Sequence, residues 1–292
     1  MLAAEILKRQ GITVLGLTFK SYFFGPRQAE KSAKRIKVAL RKIDFSERHL
    51  KIVKSPRFGY GSNMNPCLDC HLLMLKTAKK IMKKEGFDFV ATGEVLNERP
   101  MSQTRKSLAL VEKESGLRGY LLRPLSAKLL EQTIPEKKGL VKREKLFSIS
   151  GRSRKKQIEL AKKWRIKEYL QPAGGCRLCE KEFSQKLREL LEKKLKTDSS
   201  DFALLKIGRH FFFDKVKIIV GRHKEDNIRL KKLVCKNDWL VEPKNFAGPT
   251  ILIRNYGSGK IKEEFLEKAK ELIRQYSKKA PKQKEIFKIS QK

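Results

Sequence analysis

Acidic residues are scarce in this chain of 292 residues. It has 32 Asp and Glu against 69 Lys and Arg, which gives a formal net charge of +37. A field of that sign attracts polyanions, and nucleic acid is the first candidate. A general lysine bias is the alternative, but such a bias usually raises glutamate as well. The composition therefore predicts an RNA or DNA partner.

Cysteines are few, and no apolar run is long enough to span a bilayer. The five cysteines include an unpaired Cys235, which does not fit the framework of a secreted disulfide-rich protein. No signal peptide is recognisable. We therefore expect a cytoplasmic, reducing location and no membrane partner.

Four of the five cysteines form two Cys-x-x-Cys pairs. Cys67 and Cys70 lie in NPCLDCH (65–71), just before a long helical pattern, and Cys176 and Cys179 lie in GGCRLC (174–179). A cysteine at a helix N-terminus has its thiolate favoured by the exposed backbone N–H groups. We expect reactive or ligating sulfurs in these pairs.

Strand and helix patterns alternate over the first part of the chain. The predicted strands are 12–19, 50–53, 87–91 and 117–122, and the predicted helices are 1–10, 25–43, 67–85 and 101–114. This alternation predicts an α/β domain, a parallel sheet with helices on both faces. Such sheets bind ligands at the carboxyl ends of their strands, so the cysteine loop and the loop at Thr92-Gly93-Glu94 should share one rim.

The domain organisation follows from a polar break at 197–200. Residues 1–196 form the first predicted domain, which becomes helical and strongly basic after Ser126. Residues 201–277 form a small α+β domain that begins with a strand at 202–205, and residues 278–292 read as a basic tail.

The block ATGEVLNERPMSQT (91–104) resembles the Thr-Gly-Glu-x-Leu-Gly-Gln-x-x-x-Ser-Gln block of the tRNA 4-thiouridine synthetase family. The two cysteine motifs are similar to the cysteine loops of related tRNA 2-thiouridylases. These enzymes belong to the PP-loop (adenine nucleotide α-hydrolase) superfamily, and the resemblance covers about residues 1–195. It implies a tRNA sulfurtransferase that adenylates a uridine with ATP and Mg²⁺ and replaces its oxygen by sulfur. The implied sulfur donor is a cysteine desulfurase relay or sulfide.

The same resemblance implies which residues line the nucleotide site, namely Phe19, Thr92, Gly93 and Gln103. Two departures stand out. Asn97 and Glu98 replace the usual Gly-Gln, and the Ser-Gly-Gly-x-Asp-Ser phosphate loop is absent, so the chain is expected to start at an internal Met. The alternative is a non-catalytic RNA-binding protein whose nucleotide fold is degenerate or completed by a partner.

Three interpretations of the cysteines stay open. In the first, Cys176 carries a persulfide and Cys70 attacks or resolves it. In the second, Cys67, Cys70 and Cys176 hold a [4Fe–4S] cluster with one open iron. In the third, these three and Cys179 form a structural zinc site.

Two basic segments are predicted to contact RNA. GRSRKK (151–156) opens a helix, so the cations and the helix N-terminus would act on one phosphate. Its candidate contacts are Arg152, Arg154, Lys155 and Lys156.

The second segment lies in the last domain. VGRHKEDN (220–227) and FAGPT (246–250) resemble, in that order, two blocks of the RNA-binding domain of the NFACT family. Arg222, Arg254 and the lysine-rich final helix are the expected phosphate contacts. Alternatively, the glycines of these blocks only shape turns.

Overall fold

The structure, a computed structural model, describes residues 1–167, 175–194, 196–277 and 286–292. These residues form two compact units, Met1–Cys179 and Glu180–Lys292. No helix among the described residues is long and apolar enough to cross a membrane. Gly174 of the second cysteine motif and residues 278–285 of the expected basic tail lie outside the described residues.

The first unit is mixed α/β with two short parallel strand pairs. Its strands are β1 (Leu15–Lys20), β2 (Ala39–Asp44), β3 (Val90–Ala91) and β4 (Leu121–Leu122). Its helices are α1 (Leu2–Lys8), α2 (Arg27–Arg35), α3 (Ser46–Lys54), α4 (Cys67–Glu85), α5 (Arg105–Ser115), α6 (Ile134–Lys137) and α7 (Lys155–Lys163). β1 pairs with β2 and β3 with β4, both in parallel.

These strand pairs differ from the expected single parallel sheet. Within the described residues the two pairs do not join through hydrogen bonds. The apolar pattern predicts that strands exist, but strand order depends on contacts that the pattern does not contain. The first unit is therefore an α/β unit with short parallel strand pairs. The PP-loop fold that the resemblance implies stays a prediction.

The elements between β1 and α4 also differ from expectation. The helix predicted at 25–43 is two elements, α2 and β2, because Lys37 has a left-handed backbone (φ 51°) that ends the helix. The strand predicted at 50–53 is instead part of helix α3. Asp44 starts that helix by accepting hydrogen bonds from the Ser46 amide (3.0 Å) and hydroxyl (2.6 Å).

The long helix α4 begins and ends where the sequence predicts. Pro66 precedes its first residue, Cys67, and Gly86 ends it with a left-handed backbone (φ 71°). Its buried apolar side chains Leu72 and Leu75 hold it in the unit. Both α4 and the cysteine pair at its start are thus fixed to the core.

The second unit contains an antiparallel five-stranded sheet. Its strands are β5 (Arg209–Phe213), β6 (Val216–Val220), β7 (Trp239–Pro243), β8 (Ile251–Asn255) and β9 (Phe287–Gln291), in the order β5-β6-β8-β7-β9. Its helices are α8 (Lys181–Lys193), α9 (Ser199–Leu204), α10 (Lys224–Lys232) and α11 (Glu263–Tyr276). Helix α11 packs on one face of the sheet through Ala269, Leu272 and Ile273.

Three features of this unit correct the sequence-based boundaries. Helix α8 belongs to the second unit rather than to residues 1–196, and its Lys186 Nζ donates to the Gly208 carbonyl at 3.1 Å. The strand expected at 202–205 is helix α9, which Asp198 caps by accepting from the Ser200 and Asp201 amides. The end of the expected tail is strand β9, paired antiparallel with β7.

Candidate functional site

The first cysteine pair lies at the start of α4 and is held by the loop before it. The buried Asp69 carboxylate accepts hydrogen bonds from the backbone amides of Arg57 (3.2 Å) and Phe58 (3.0 Å). Asn65 Nδ2 lies 3.2 Å from Cys67 Sγ. The loop is therefore tied to the first helical turn, which fixes where both sulfurs lie.

The second cysteine pair is brought to the same place by backbone contacts. Its turn, Arg177–Cys179, donates from the Arg177 amide to the Phe23 carbonyl at 3.1 Å, in the segment that follows β1. Asn63 Nδ2 donates to the Cys179 carbonyl at 2.9 Å. Asn63 belongs to the loop that precedes Cys67, so the two pairs meet although more than a hundred residues separate them.

The four sulfurs are close enough to change one another's ionisation. Burial, together with the neighbouring Cys67, Asp69 and Cys179, raises the pKa of Cys70 to about 12. A hydrogen bond with Cys179, followed by burial, raises the pKa of Cys176. Burial also raises the pKa of Cys67 despite the hydrogen bond from Asn65.

These shifts oppose the thiolate that the helix start was expected to favour. Burial, with the neighbouring Cys67, Asp69 and Cys179, raises the pKa of Cys70, and the hydrogen bond with Cys179, with burial, raises that of Cys176, so both carry their protons at neutral pH. A bound cation reverses such shifts, because a ligating thiol is deprotonated by the charge of the metal.

The four cysteine sulfurs are the donor type that iron–sulfur clusters and zinc prefer, but their described positions do not form a metal site. Among the described residues, no three His, Cys, Asp or Glu side chains are arranged around a common metal position. All four sulfurs are free thiols, and only Cys179 among them is classed as exposed. The structure therefore brings the four sulfurs close together without forming a metal site in the described part of the chain, and the three interpretations of the cysteines stay open.

A buried ion-pair network joins the cysteine helix to the loops after β3 and β4. His71 Nδ1 lies 3.2 Å from Glu94 Oε1, and Glu94 Oε2 accepts from Arg123 Nε (3.1 Å) and Thr92 Oγ1 (2.9 Å). Arg123 also donates to Glu112 at 2.9 Å. Burial opposes ionisation of Glu94, but the hydrogen bond from His71 and the charge of Arg123 lower its pKa to about 2.

This network connects the start of α4 to the Thr-Gly-Glu loop, although the strand predicted before the cysteine loop is helix α3 and the single parallel sheet is absent from the described residues. Arg99, farther along the same loop, acts electrostatically on Cys67 and favours its thiolate. Glu94 and Arg123 are site residues that the sequence reading missed. The signal was present, since Glu94 belongs to the quoted Thr-Gly-Glu and Arg123 directly follows a buried strand.

The four candidate nucleotide residues lie in different surroundings. Thr92 is engaged with Glu94, and the space beside Gly93 is open. Gln103 is 6% exposed, and its Oε1 is buried without a hydrogen-bond partner. Phe19 lies in the other strand pair, where its ring packs 5.1 Å from the ring of Phe45. Of the four, Gln103 offers the clearest unused acceptor for a ligand.

The basic segment before α7 is mostly available to a partner. Arg152, Lys155 and Lys156 are exposed, and the last two open the helix as expected. Arg154 differs, because its Nε lies 4.0 Å from Glu98 Oε1. The structure therefore leaves at least three of these four cations at the surface.

The two arginines predicted to contact phosphate in the second unit have opposite roles. Arg222 has a 44% exposed side chain, 3.6 Å from Glu182. Arg254 is 5% exposed and donates to the buried carboxylates of Asp201 (3.0 Å) and Asp238 (2.7 Å). Its burial and these internal ion pairs argue against the predicted phosphate contact at Arg254.

The two blocks that resemble the NFACT family fold onto each other. The Gly221 amide donates to the Thr250 carbonyl at 3.0 Å, and Asn227 Oδ1 accepts from the Thr250 amide at 3.1 Å. A Cβ on Gly221 would overlap Asn227 Oδ1, so only glycine permits this contact. Asn227 thus connects the blocks and does more than cap a helix.

Comparison with known families bears on this unit. Residues 208–292 match the family described as NFACT protein RNA binding domain. This NFACT-like domain includes β9, so the match extends past the two blocks to the last residue. No curated protein matches the chain. An RNA partner is therefore supported for the second unit, whereas the thiouridine resemblance of the first stays a prediction.

Proposed function

We propose that this protein is a tRNA sulfurtransferase that adenylates a uridine with ATP and replaces the activated oxygen by sulfur. The observation that carries the proposal is the convergence of Cys67, Cys70, Cys176 and Cys179 beside the Thr-Gly-Glu loop. The NFACT-like domain supports the choice of an RNA substrate. In the overall reaction, pyrophosphate leaves when the uridine is adenylated, and AMP leaves with the former uridine oxygen when sulfur attaches.

The cysteines act in this proposal as ligands. Cys67, Cys70 and Cys176 are the thiols that would hold an iron–sulfur cluster, a group that would supply a binding position for sulfur, although their described positions do not form a metal site. Zinc held by these three and Cys179 is the second choice. The raised thiol pKa values support a ligand role, because protonated thiols are poor nucleophiles and a metal charge removes the proton.

Neighbouring residues position these groups. His71 is oriented by the ionised Glu94, and Arg123 fixes Glu94 in turn. Arg99 supplies positive charge near Cys67. Among the described residues the buried Gln103 Oε1 has no hydrogen-bond partner, which leaves it as an acceptor within the Thr-Gly-Glu block.

Anaerobic purification followed by a visible spectrum and iron, sulfide and zinc analysis tests the ligand role. We expect bound metal in the wild-type chain and its loss in Cys67→Ser and Cys176→Ser. Cys235→Ser is the matched control, since Cys235 lies in the other unit and should leave the metal content unchanged. Metal-free wild-type protein would instead favour the persulfide interpretation.

Thionucleoside analysis tests the reaction itself. tRNA from a strain that lacks the gene should lose one thiouridine and regain it when wild-type protein is supplied, but not the Cys67→Ser variant. An unchanged thionucleoside profile would favour the second candidate, a non-catalytic RNA-binding protein. That candidate is supported by the family match, which concerns RNA binding alone.

A further inference from the structure

Two helices of the NFACT-like domain carry many lysines, but their charges are arranged differently. Helix α11, Glu263–Tyr276, contains four glutamates against three basic residues. Helix α10, Lys224–Lys232, contains four basic residues against two acidic ones. The contrast is informative, because phosphate binding needs cations that are not already neutralised.

Two lysines in α11 and one just before it form ion pairs with neighbouring glutamates. Lys268 Nζ lies 2.7 Å from Glu271 Oε2, and Lys270 Nζ lies 2.6 Å from Glu267 Oε1. Lys262, just before the helix, lies 3.6 Å from Glu264. This helix was the expected RNA contact, yet its outer surface is nearly neutral.

The outer face of α10 keeps its cations unpaired. Lys224, Arg229 and Lys232 are exposed, and within the described part of the chain no carboxylate lies within ion-pair distance of them. Lys236, four residues beyond Lys232, is also exposed and unpaired there. Since Lys224 and Lys232 are eight residues apart, they span about 12 Å along the helix axis.

The carboxylates of α10 do not cancel these charges. Asp226 is buried and accepts hydrogen bonds from the amides of Gly208 (3.1 Å) and Arg222 (3.3 Å). Glu225 is exposed, with an oxygen 3.1 Å from His223 Nδ1. Exposed cations therefore outnumber exposed carboxylates on this helix.

An apolar side chain lies in the middle of the same face. Ile228 is 45% exposed and lies one turn from both Lys224 and Lys232. A single exposed apolar side chain is common on protein surfaces, so the unpaired cations and not Ile228 distinguish this face.

We infer that the outer face of α10, formed by Lys224, Ile228, Arg229 and Lys232, is the surface on which this domain binds the phosphate backbone of RNA. The inference rests on the RNA-binding part of the proposed function and locates it on one helix. RNA is the occupant that charge selects, because a second copy of a chain with a net charge of +37 would be repelled.

Salt-dependent RNA binding by the full chain tests this surface. The test variant is Lys224→Gln, Arg229→Gln and Lys232→Gln together, and its control is Lys262→Gln, Lys268→Gln and Lys270→Gln. Both remove three positive charges from the same domain, so net charge alone cannot distinguish them. Affinity for an unmodified tRNA transcript is measured by anisotropy between about 50 and 200 mM salt.

Each lost phosphate contact reduces the slope of log affinity against log salt concentration by about 0.7–0.9. The α10 variant loses three cations, so we expect its slope to be shallower than that of wild type by about 2. Its affinity deficit relative to wild type should therefore shrink by about 15-fold across that fourfold range of salt. The α11 variant should keep the wild-type slope.

Equal slopes for wild type and the α10 variant, or equal flattening in both variants, would overturn the assignment to α10. A wild-type chain that shows no salt-dependent tRNA binding would instead overturn the RNA-binding function itself. Circular dichroism checks that both variants are folded; their substituted side chains are surface cations, so little change is expected.

Discussion

Replacing Arg254 tests whether this arginine stabilises the second unit or contacts RNA. Its guanidinium donates to Asp238 through Nε (3.0 Å) and Nη2 (2.7 Å), and to Asp201 through Nη1 (3.0 Å). It also donates to the Ser200 hydroxyl (2.8 Å) and the Leu233 carbonyl (3.0 Å). Arg254→Met would remove all of these bonds and leave the buried Asp238 without its cation, whereas Asp201 would keep Lys194, whose Nζ lies 2.7 Å from Asp201 Oδ2.

The expected loss of stability follows from that burial. Asp201 and Asp238 are 0% and 2% exposed, so solvent does not compensate for the missing charge. Breaking a buried ion pair by removing one partner costs about 3–5 kcal/mol. For a unit of this size, such a loss lowers the melting temperature by roughly 15 °C. The melting temperature of Arg254→Lys should lie between those of the parent protein and Arg254→Met, because lysine keeps the charge but lacks the planar guanidinium.

Tryptophan fluorescence provides a unit-specific assay. The chain has two tryptophans, Trp164 in the first unit and Trp239 in the second. In a Trp164→Phe background, urea and thermal unfolding monitored by fluorescence therefore report the second unit alone. The matched control is Arg222→Met, which alters an exposed side chain and should change stability by less than about 0.5 kcal/mol.

One result would refute this reasoning. If Arg254→Met unfolds within about 1 kcal/mol of the parent protein, the buried network does not stabilise the unit as its geometry implies. A stable Arg254→Met that nevertheless loses salt-dependent RNA binding would restore Arg254 as a phosphate contact.

Three further predictions concern buried groups. Burial lowers the pKa of His49 to about 4. Below about pH 6.5 the unfolded chain therefore binds a proton at His49 that the folded chain does not bind. The free energy of unfolding of the first unit should fall by about 3 kcal/mol as pH falls from 6.5 to 4. His49→Phe should abolish that dependence, since both ring nitrogens are buried without partners among Phe23, Phe24 and Phe45. Burial likewise lowers the pKa of Lys217 to about 7, so the second unit loses stability as pH falls from about 10.5 to 7, and Lys217→Met should raise its melting temperature at pH 7. Gly221→Ala should destabilise the second unit by about 1–3 kcal/mol, because its Cβ would displace Asn227 from the Thr250 amide.

Unfolding against pH, with fluorescence of Trp164 for the first unit and of Trp239 for the second, checks all three. A wild-type first unit whose stability does not change between pH 6.5 and 4, relative to His49→Phe, would contradict the first. Lys217→Met that melts below wild type at pH 7 would contradict the second. Gly221→Ala with wild-type stability would contradict the third.

Local sequence signals predicted much of the second unit and one long helix of the first. The lysine-rich final helix that the sequence indicates is α11, Glu263–Tyr276. The errors occur where pattern and context conflict. Helix α9 was read as a strand because its short run FALL is apolar, and the side chain of Asp198 decides the outcome by capping it.

The candidate site was only partly predictable. Cys67 and Glu94 each follow a predicted strand, and this position predicts that their loops share one rim of a sheet. The partnership of His71 with Glu94, and of Glu94 with Arg123, depends on which side chains face inward from three separate elements. No periodicity contains that information.

The excess of positive charge, the two Cys-x-x-Cys pairs, the span of α4 and the ordered blocks of the NFACT-like domain are all evident from the amino-acid sequence. These are properties of composition or of neighbouring residues along the chain. Tertiary contacts determine that the four thiols lie close together, that burial raises the pKa of Cys67 and Cys70, and that Arg254 is buried. They also determine that Lys224, Arg229 and Lys232 of α10 have no carboxylate at ion-pair distance among the described residues, whereas Lys268 and Lys270 of α11 do. The physical reason is that ionisation and charge availability depend on burial and on the nearest opposite charge, which residues far apart in sequence supply.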